Sequence, residues 1–325
     1  ACQWAVLVLL IKALSPAQVG AYAYALAITS PIFVLAGVRL RNLLATSGTP
    51  TDDFRDYLTT RLVTTGCALI ASLAIGALST STRESMIVVA LVALARSCDA
   101  ISDICHGLFQ RALDMRTAAL GLMLNGALSV LLVRGALVFW HSLPLAAVAY
   151  AVGSAVPLFA WNLPRVGGLL KSRREVSDAR NNWSQVRSLL VRALPLGLSS
   201  AIGSIQTNLP RYAIAGLLGP APLAVFAAIS HIALLGHLVV NAATQAALPL
   251  LADDARTRRS SYRARLYGLV AASVGFGSFA LLLTIVVGRR VLGVIYGPEY
   301  EQHAGVLVCL MATALVALTS GYFWT

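Results

Sequence analysis

Apolar runs of about twenty residues recur from one end of this chain to the other, and a run of that length is what a helix needs to cross a bilayer. Ten such segments can be read, at roughly 1–14, 17–38, 60–79, 85–106, 117–139, 143–162, 188–218, 221–250, 266–287 and 302–324. They are long and rich in Leu, Ala, Val and Gly, without the short alternation of a membrane β-barrel. Backbone polar groups in lipid must be satisfied internally, so the segments read as helices and the fold class as all-α integral membrane. Composition agrees: 58% of residues are hydrophobic and 12% charged, against roughly half and one quarter in a soluble domain. The chain starts and stops inside apolar runs, "ACQWAVLVLL" and "LTSGYFWT", and is read as truncated at both ends.

The basic residues orient the segments. Arg39, Arg41, Arg55 and Arg61 follow segment two, and Arg111 and Arg116 follow segment four. Segments six and seven are joined by a stretch holding Arg165, Lys171, Arg173, Arg174, Arg180, Arg187 and Arg192. Arg256, Arg258, Arg259, Arg263 and Arg265 follow segment eight. Eighteen cations thus share one side, against Lys12, Arg83, Arg289 and Arg290 on the other. By the positive-inside rule the first side is cytoplasmic, with the N-terminus. This asymmetry accounts for most of the net charge of +12, so nucleic-acid binding is not needed to explain it. The outer loops ("STSTRES", "WHSLP", "LGPAP") are short for a membrane glycan polymerase or ligase, and no HExxH, GxSxG or Walker sequence is present. An enzyme is therefore not expected, nor a cofactor or metal. The five cysteines form no CxxC pair and read as small buried hydrophobes.

A displacement of 204 residues aligns 13–28 with 217–232 without a gap. Leu14, Pro16, Ala17, Ala23 and Ile28 meet Leu218, Pro220, Ala221, Ala227 and Ile232, and Tyr22 meets Phe226. Arg55 and Arg61 meet Arg259 and Arg265. The shift spans an even number of helices, so the repeat is parallel, about an axis along the membrane normal. Two bundles around a central cavity follow, an arrangement suited to a transporter. The bundles are 1–162 and 188–325, with 163–187 as a basic cytoplasmic linker.

Ionisable residues inside the apolar segments mark the candidate site. "LVALARSCDAISDICHGLFQ" carries Arg96, Asp99, Asp103 and His106, within about 80° of one another on a helix. A charge near the bilayer centre costs about 2.5–3.5 kcal/mol on insertion scales, so the stripe should face protein or water and line the space between the bundles. A ladder of ion pairs within the helix is the structural alternative. Segment seven adds Asn208 and Arg211 beside Pro210, and segment five adds Arg134, which can snorkel to the interface. Three buried arginines against two buried aspartates predict a net positive cavity and an anionic substrate. A diphosphate suits planar guanidinium forks. The candidate binding residues are Arg96, Asp99, Asp103, Asn208 and Arg211.

"GVRLRNLLATSG", "ISDICHGLFQRALDM", "NLPRYAI" and "VIYGPEY" resemble, in order and spacing, the polysaccharide biosynthesis and O-antigen flippase family of the multidrug, oligosaccharidyl-lipid and polysaccharide exporter superfamily. The resemblance implies twelve or more helices. It implies a flippase that moves an undecaprenyl-diphosphate-linked oligosaccharide from the cytoplasmic to the outer leaflet of the bacterial inner membrane by alternating access. Membrane lipids, H⁺ or Na⁺ as coupling ion and a glycan polymerase are the partners it suggests. A multidrug antiporter of the same fold and a non-transporting scaffold of a glycan-assembly complex stay open as alternatives.

Overall fold

A computed structural model describes residues 2–46, 54–80, 82–172, 183–233 and 259–321. Among these, regular structure is entirely helical: α1 (Cys2–Ala13), α2 (Pro16–Gly37), α3 (Leu40–Thr46), α4 (Phe54–Ser79), α5 (Arg83–Arg111), α6 (Met115–Trp140), α7 (Leu143–Pro157), α8 (Leu163–Ser172), α9 (Trp183–Leu217), α10 (Pro220–Ala233), α11 (Arg259–Tyr296) and α12 (Ala304–Gly321). A π turn at Leu158–Asn162 joins α7 to α8. Seven of these stretches are long and apolar enough to span a membrane. Their outward faces carry large apolar side chains such as Leu78, Phe139, Leu194 and Val286, as lipid in place of water requires. The chain is a multi-pass membrane protein.

Local sequence explains the helix ends. Ser15 accepts from the Gln18 amide nitrogen while the Gln18 side chain reaches back to the Ser15 amide, and Pro16 takes the first helical position. Thr82 caps α5 and Asp114 caps α6, each through its side chain. After α2, Val38 and Arg39 both adopt left-handed φ values of 42° and 50°, which turns the chain into the short α3.

Two compact units divide the chain, Ala1–Ala224 and Val225–Thr325. In the first, one apolar cluster joins α1, α2, α5, α6 and α7 through Leu7, Leu10, Tyr22, Val92, Val133 and Leu137. A second, through Leu40, Phe54, Tyr57, Ile104, Phe109 and Leu189, joins α3, α4, α5 and α9. α5 contributes to the first cluster as far as Ala95 and to the second from Ile104 onward, so Arg96, Asp99 and Asp103 fall between them. α9 packs along α2, with the Tyr212 hydroxyl donating to the Ala27 carbonyl at 2.5 Å and Arg39 Nε donating to Ser200 Oγ at 2.9 Å. In the second unit α11 packs on α12, and the "YGPEY" turn is held by Gly297 at φ 113° and a Tyr296 hydroxyl that donates to Ala228.

α2 begins at Pro16 and α10 at Pro220, 204 residues apart, the displacement read from the sequence. Gly20 lies against the Pro220 carbonyl, where no side chain fits. Of the expected linker 163–187, residues 163–172 form α8, 183–187 open α9, and 173–182 lie outside the described residues. So do 234–250 of segment eight and the basic residues Arg173, Arg174, Arg180, Arg256 and Arg258.

α6 and α7 approach closely at Gly153, where a Cβ would come 2.6 Å from Ser129 Cα and 3.0 Å from its nitrogen. Small residues permit such approach between membrane helices. Gly153→Val is expected to lower stability by about 2 kcal/mol through overpacking. Gly135→Ala, on the same α6 but facing open space, should leave the detergent-solubilised melting temperature within a degree or two of the parent. Equal melting of the two variants would refute the contact.

Candidate functional site

Arg96, Asp99, Asp103 and His106 of α5 line one cavity of about 350 Å³. Its other walls come from α1 (Gln3), α6 (Asn125 and Ser129) and α7 (Tyr150). All belong to the first compact unit. The stripe therefore faces a cavity inside the first compact unit, where the sequence had suggested the space between bundles.

The members of the stripe have different partners. Asp103 binds two cations from other helices: Arg41 Nη1 of α3 donates to Oδ1 at 3.0 Å and Arg61 Nη2 of α4 to Oδ2 at 3.3 Å. Arg61 also donates from Nε to the Ala100 carbonyl of α5 at 2.7 Å, and Arg41 from Nε to Gln110 at 3.2 Å. Arg61 is 5% exposed. Two residues read from sequence as loop cations thus tie α3 and α4 to α5, and this replaces the intrahelical ladder. Sequence gave no sign of it, because the reading of Arg41 and Arg61 stopped at orientation.

Asp99 takes a hydrogen bond from Asn125 Nδ2 at 2.9 Å, and Ser129 Oγ reaches Asn125 Oδ1 at 3.5 Å. Asn125 and Ser129 stand one helical turn apart in "MLNGALSV", polar residues on one face of an apolar segment, and that i, i+4 spacing was a usable signal. Arg96 has no ion pair among the described residues, and its Nε is buried without a hydrogen-bond partner. Burying a charged donor in this state is costly, so an atom so placed is poised to meet an acceptor. The Ser102 hydroxyl is likewise buried and unpartnered.

Asn208 and Arg211 stand on α9, outside the cavity lining. Arg211 Nη1 donates to Asn208 Oδ1 at 3.2 Å, and Asn208, 4% exposed, donates to the Ser204 carbonyl at 2.8 Å. Arg96 and Arg211 are near enough to interact electrostatically. Arg134 is exposed on α6. The lining therefore presents one arginine with two aspartates, one of them neutralised by Arg41 and Arg61, and the expectation of a net positive lining is corrected. Arg96 and Asp99 remain as its cation and carboxylate, near enough to interact. Cys105 is buried and Cys98 half-buried, whereas Cys2, Cys67 and Cys309 lie exposed, so the expectation of buried cysteines holds for only part of the set.

Comparison with known proteins gives this arrangement a context. Capsular polysaccharide biosynthesis protein CapF of Staphylococcus aureus is 23% identical over 329 residues, covering 99% of this chain and 80% of that protein. The inward-facing conformation of a multidrug resistance MATE family transporter of the MOP superfamily matches with a TM-score of 0.71 at 16% identity, over 99% of this chain and 78% of that one. A crystal structure of MATE in the bent conformation matches with a TM-score of 0.57 at 15% identity, over 98% and 79%. These two likenesses show the fold. The family model described as polysaccharide biosynthesis protein matches residues 3–253, and the chain belongs to that family.

Proposed function

We propose that the chain is a flippase for an undecaprenyl-diphosphate-linked oligosaccharide, an O-antigen or exopolysaccharide unit carried from the cytoplasmic to the outer leaflet by alternating access. The observation that carries this reading is Arg96, a half-buried cation in a polar cavity with its Nε buried and unpartnered, in a member of the polysaccharide biosynthesis family. A guanidinium fork is suited to paired phosphate oxygens. Arg211, within electrostatic reach of Arg96, would add a second cation. Asp99, held by Asn125, would take the coupling ion, H⁺ or Na⁺. Asp103, committed to Arg41 and Arg61, would position the site. The bundles 1–162 and 188–325 would exchange access while the lipid tail stays in the bilayer. The location that fits is the bacterial inner membrane, with the N-terminus cytoplasmic and a glycan polymerase receiving the product.

The test is leaflet crossing of a polyprenyl-diphosphate oligosaccharide in proteoliposomes. Intact protein under an imposed H⁺ or Na⁺ gradient should accelerate crossing, and Arg96→Ala/Arg211→Ala should abolish the acceleration. If intact protein moved a cationic drug and left the lipid-linked saccharide in place under every gradient, the multidrug antiporter would replace the flippase.

A further inference from the structure

A second cavity, of about 530 Å³, lies at the start of α2, the α4–α5 turn and the ends of α9 and α10. It belongs wholly to the first unit. Its volume is in the range of small-molecule sites. Ser79 Oγ donates to the Ile75 carbonyl and Thr80 Oγ1 to the Gly76 carbonyl, both at 2.7 Å. The Tyr212 hydroxyl donates to Ala27. Each of these oxygens has spent its proton on the backbone and keeps lone pairs for a ligand. Glu84 adds a carboxylate, another acceptor. Gln18 supplies the amide donor, because its oxygen already accepts from Ser15.

The wall therefore combines acceptors at Ser79, Thr80, Tyr212 and Glu84 with donors at Gln18, Tyr24 and Ser85, and among the described residues no Lys or Arg lines it. A diphosphate would find no cation in this lining and a carboxylate opposing it. A ligand dense in hydroxyl donors fits. Tyr24 and Tyr212, close enough to interact, add aromatic faces for the apolar C–H face of a sugar ring. Glu84 and Arg96 stand twelve residues apart on α5, about 18 Å along the helix axis.

We propose that this cavity is a subsite for the neutral sugars of the transported glycan, separate from the cavity at Arg96. The proposal rests on the flippase reading and deepens it: the N-terminal end of α5 receives sugar hydroxyls and its middle receives phosphate.

The experiment is saturation-transfer NMR on the intact chain in lipid nanodiscs. The probes are glucose, galactose, rhamnose and N-acetylglucosamine, with methylenediphosphonate and tetramethylammonium as comparison ligands. Ring protons of at least one sugar should receive saturation. The signal should fall at least fivefold in Thr80→Val, which removes an acceptor at constant shape, and vanish in Ala21→Trp, which fills the cavity. Two results would overturn the proposal. One is no sugar signal, or an equal signal in both variants. The other is saturation of tetramethylammonium alone, removed by Glu84→Gln, which would make the cavity a cation site. Leaflet crossing measured on the same preparation separates the two readings. Crossing without sugar binding sinks the subsite and leaves the flippase. Sugar binding without crossing sinks the flippase and leaves the subsite.

Discussion

Asp103→Ala is expected to destabilise the protein by about 3 kcal/mol, the cost of stranding one partner of a buried ion pair. Asp103 itself is partly exposed, with side-chain exposure of 36%, so little of that figure belongs to it. The cost arises at Arg61, whose side chain is 6% exposed and would keep only the Ala100 carbonyl. Arg41 has more access to water and can rehydrate, so it adds less. Three elements meet at this carboxylate, and its loss should loosen α3 and α4 together. Asp103→Leu combined with Arg61→Leu removes both charges and should regain part of the melting temperature lost by the single change, because an apolar pair leaves nothing unpaired. Fluorescence-monitored melting in detergent measures both. If the single variant melts with the parent, or the double variant melts below the single, the carboxylate does not hold these helices.

The spans were legible because lipid imposes a length and an apolar composition that few sequences meet by accident. Two helix starts were legible for a similar reason: Pro16 and Pro220 each open a helix, and proline tolerates few other positions in one. The stripe on α5 followed from helical spacing alone. What that stripe faces did not. Periodicity places Arg96, Asp99 and Asp103 on one face of α5, but which helix covers the face depends on packing between segments far apart in the chain. Asp103 pairs with Arg41 and Arg61, 62 and 42 residues away. Positive-inside counting treats such arginines as loop charges, and nothing local marks the two that turn inward. Asn125 was within reach of the sequence, because an amide one turn from Ser129 in an apolar helix asks for a partner; naming Asp99 as that partner needed the fold.

Arg96 should separate transport from stability in the direction opposite to Asp103. Two charge-assisted hydrogen bonds to a diphosphate, each contributing roughly 1.5 kcal/mol, correspond to about a 100-fold slower leaflet crossing in Arg96→Ala. Arg96→Lys keeps the charge and loses the fork, so crossing should fall about tenfold. The fold should respond differently. Arg96 Nε is buried with no partner among the described residues, so Arg96→Gln removes a costly unpartnered donor without breaking an ion pair. The melting temperature of Arg96→Gln should equal or exceed that of the parent while its transport is lost. This follows the general trade between stability and a strained functional site. A residue that served only the structure would lose both together, as Asp103→Ala should. Melting and leaflet crossing measured on the same Arg96→Gln preparation therefore decide its role. A stable, inactive variant supports a binding cation, and a variant that crosses at the parent's rate removes Arg96 from the site.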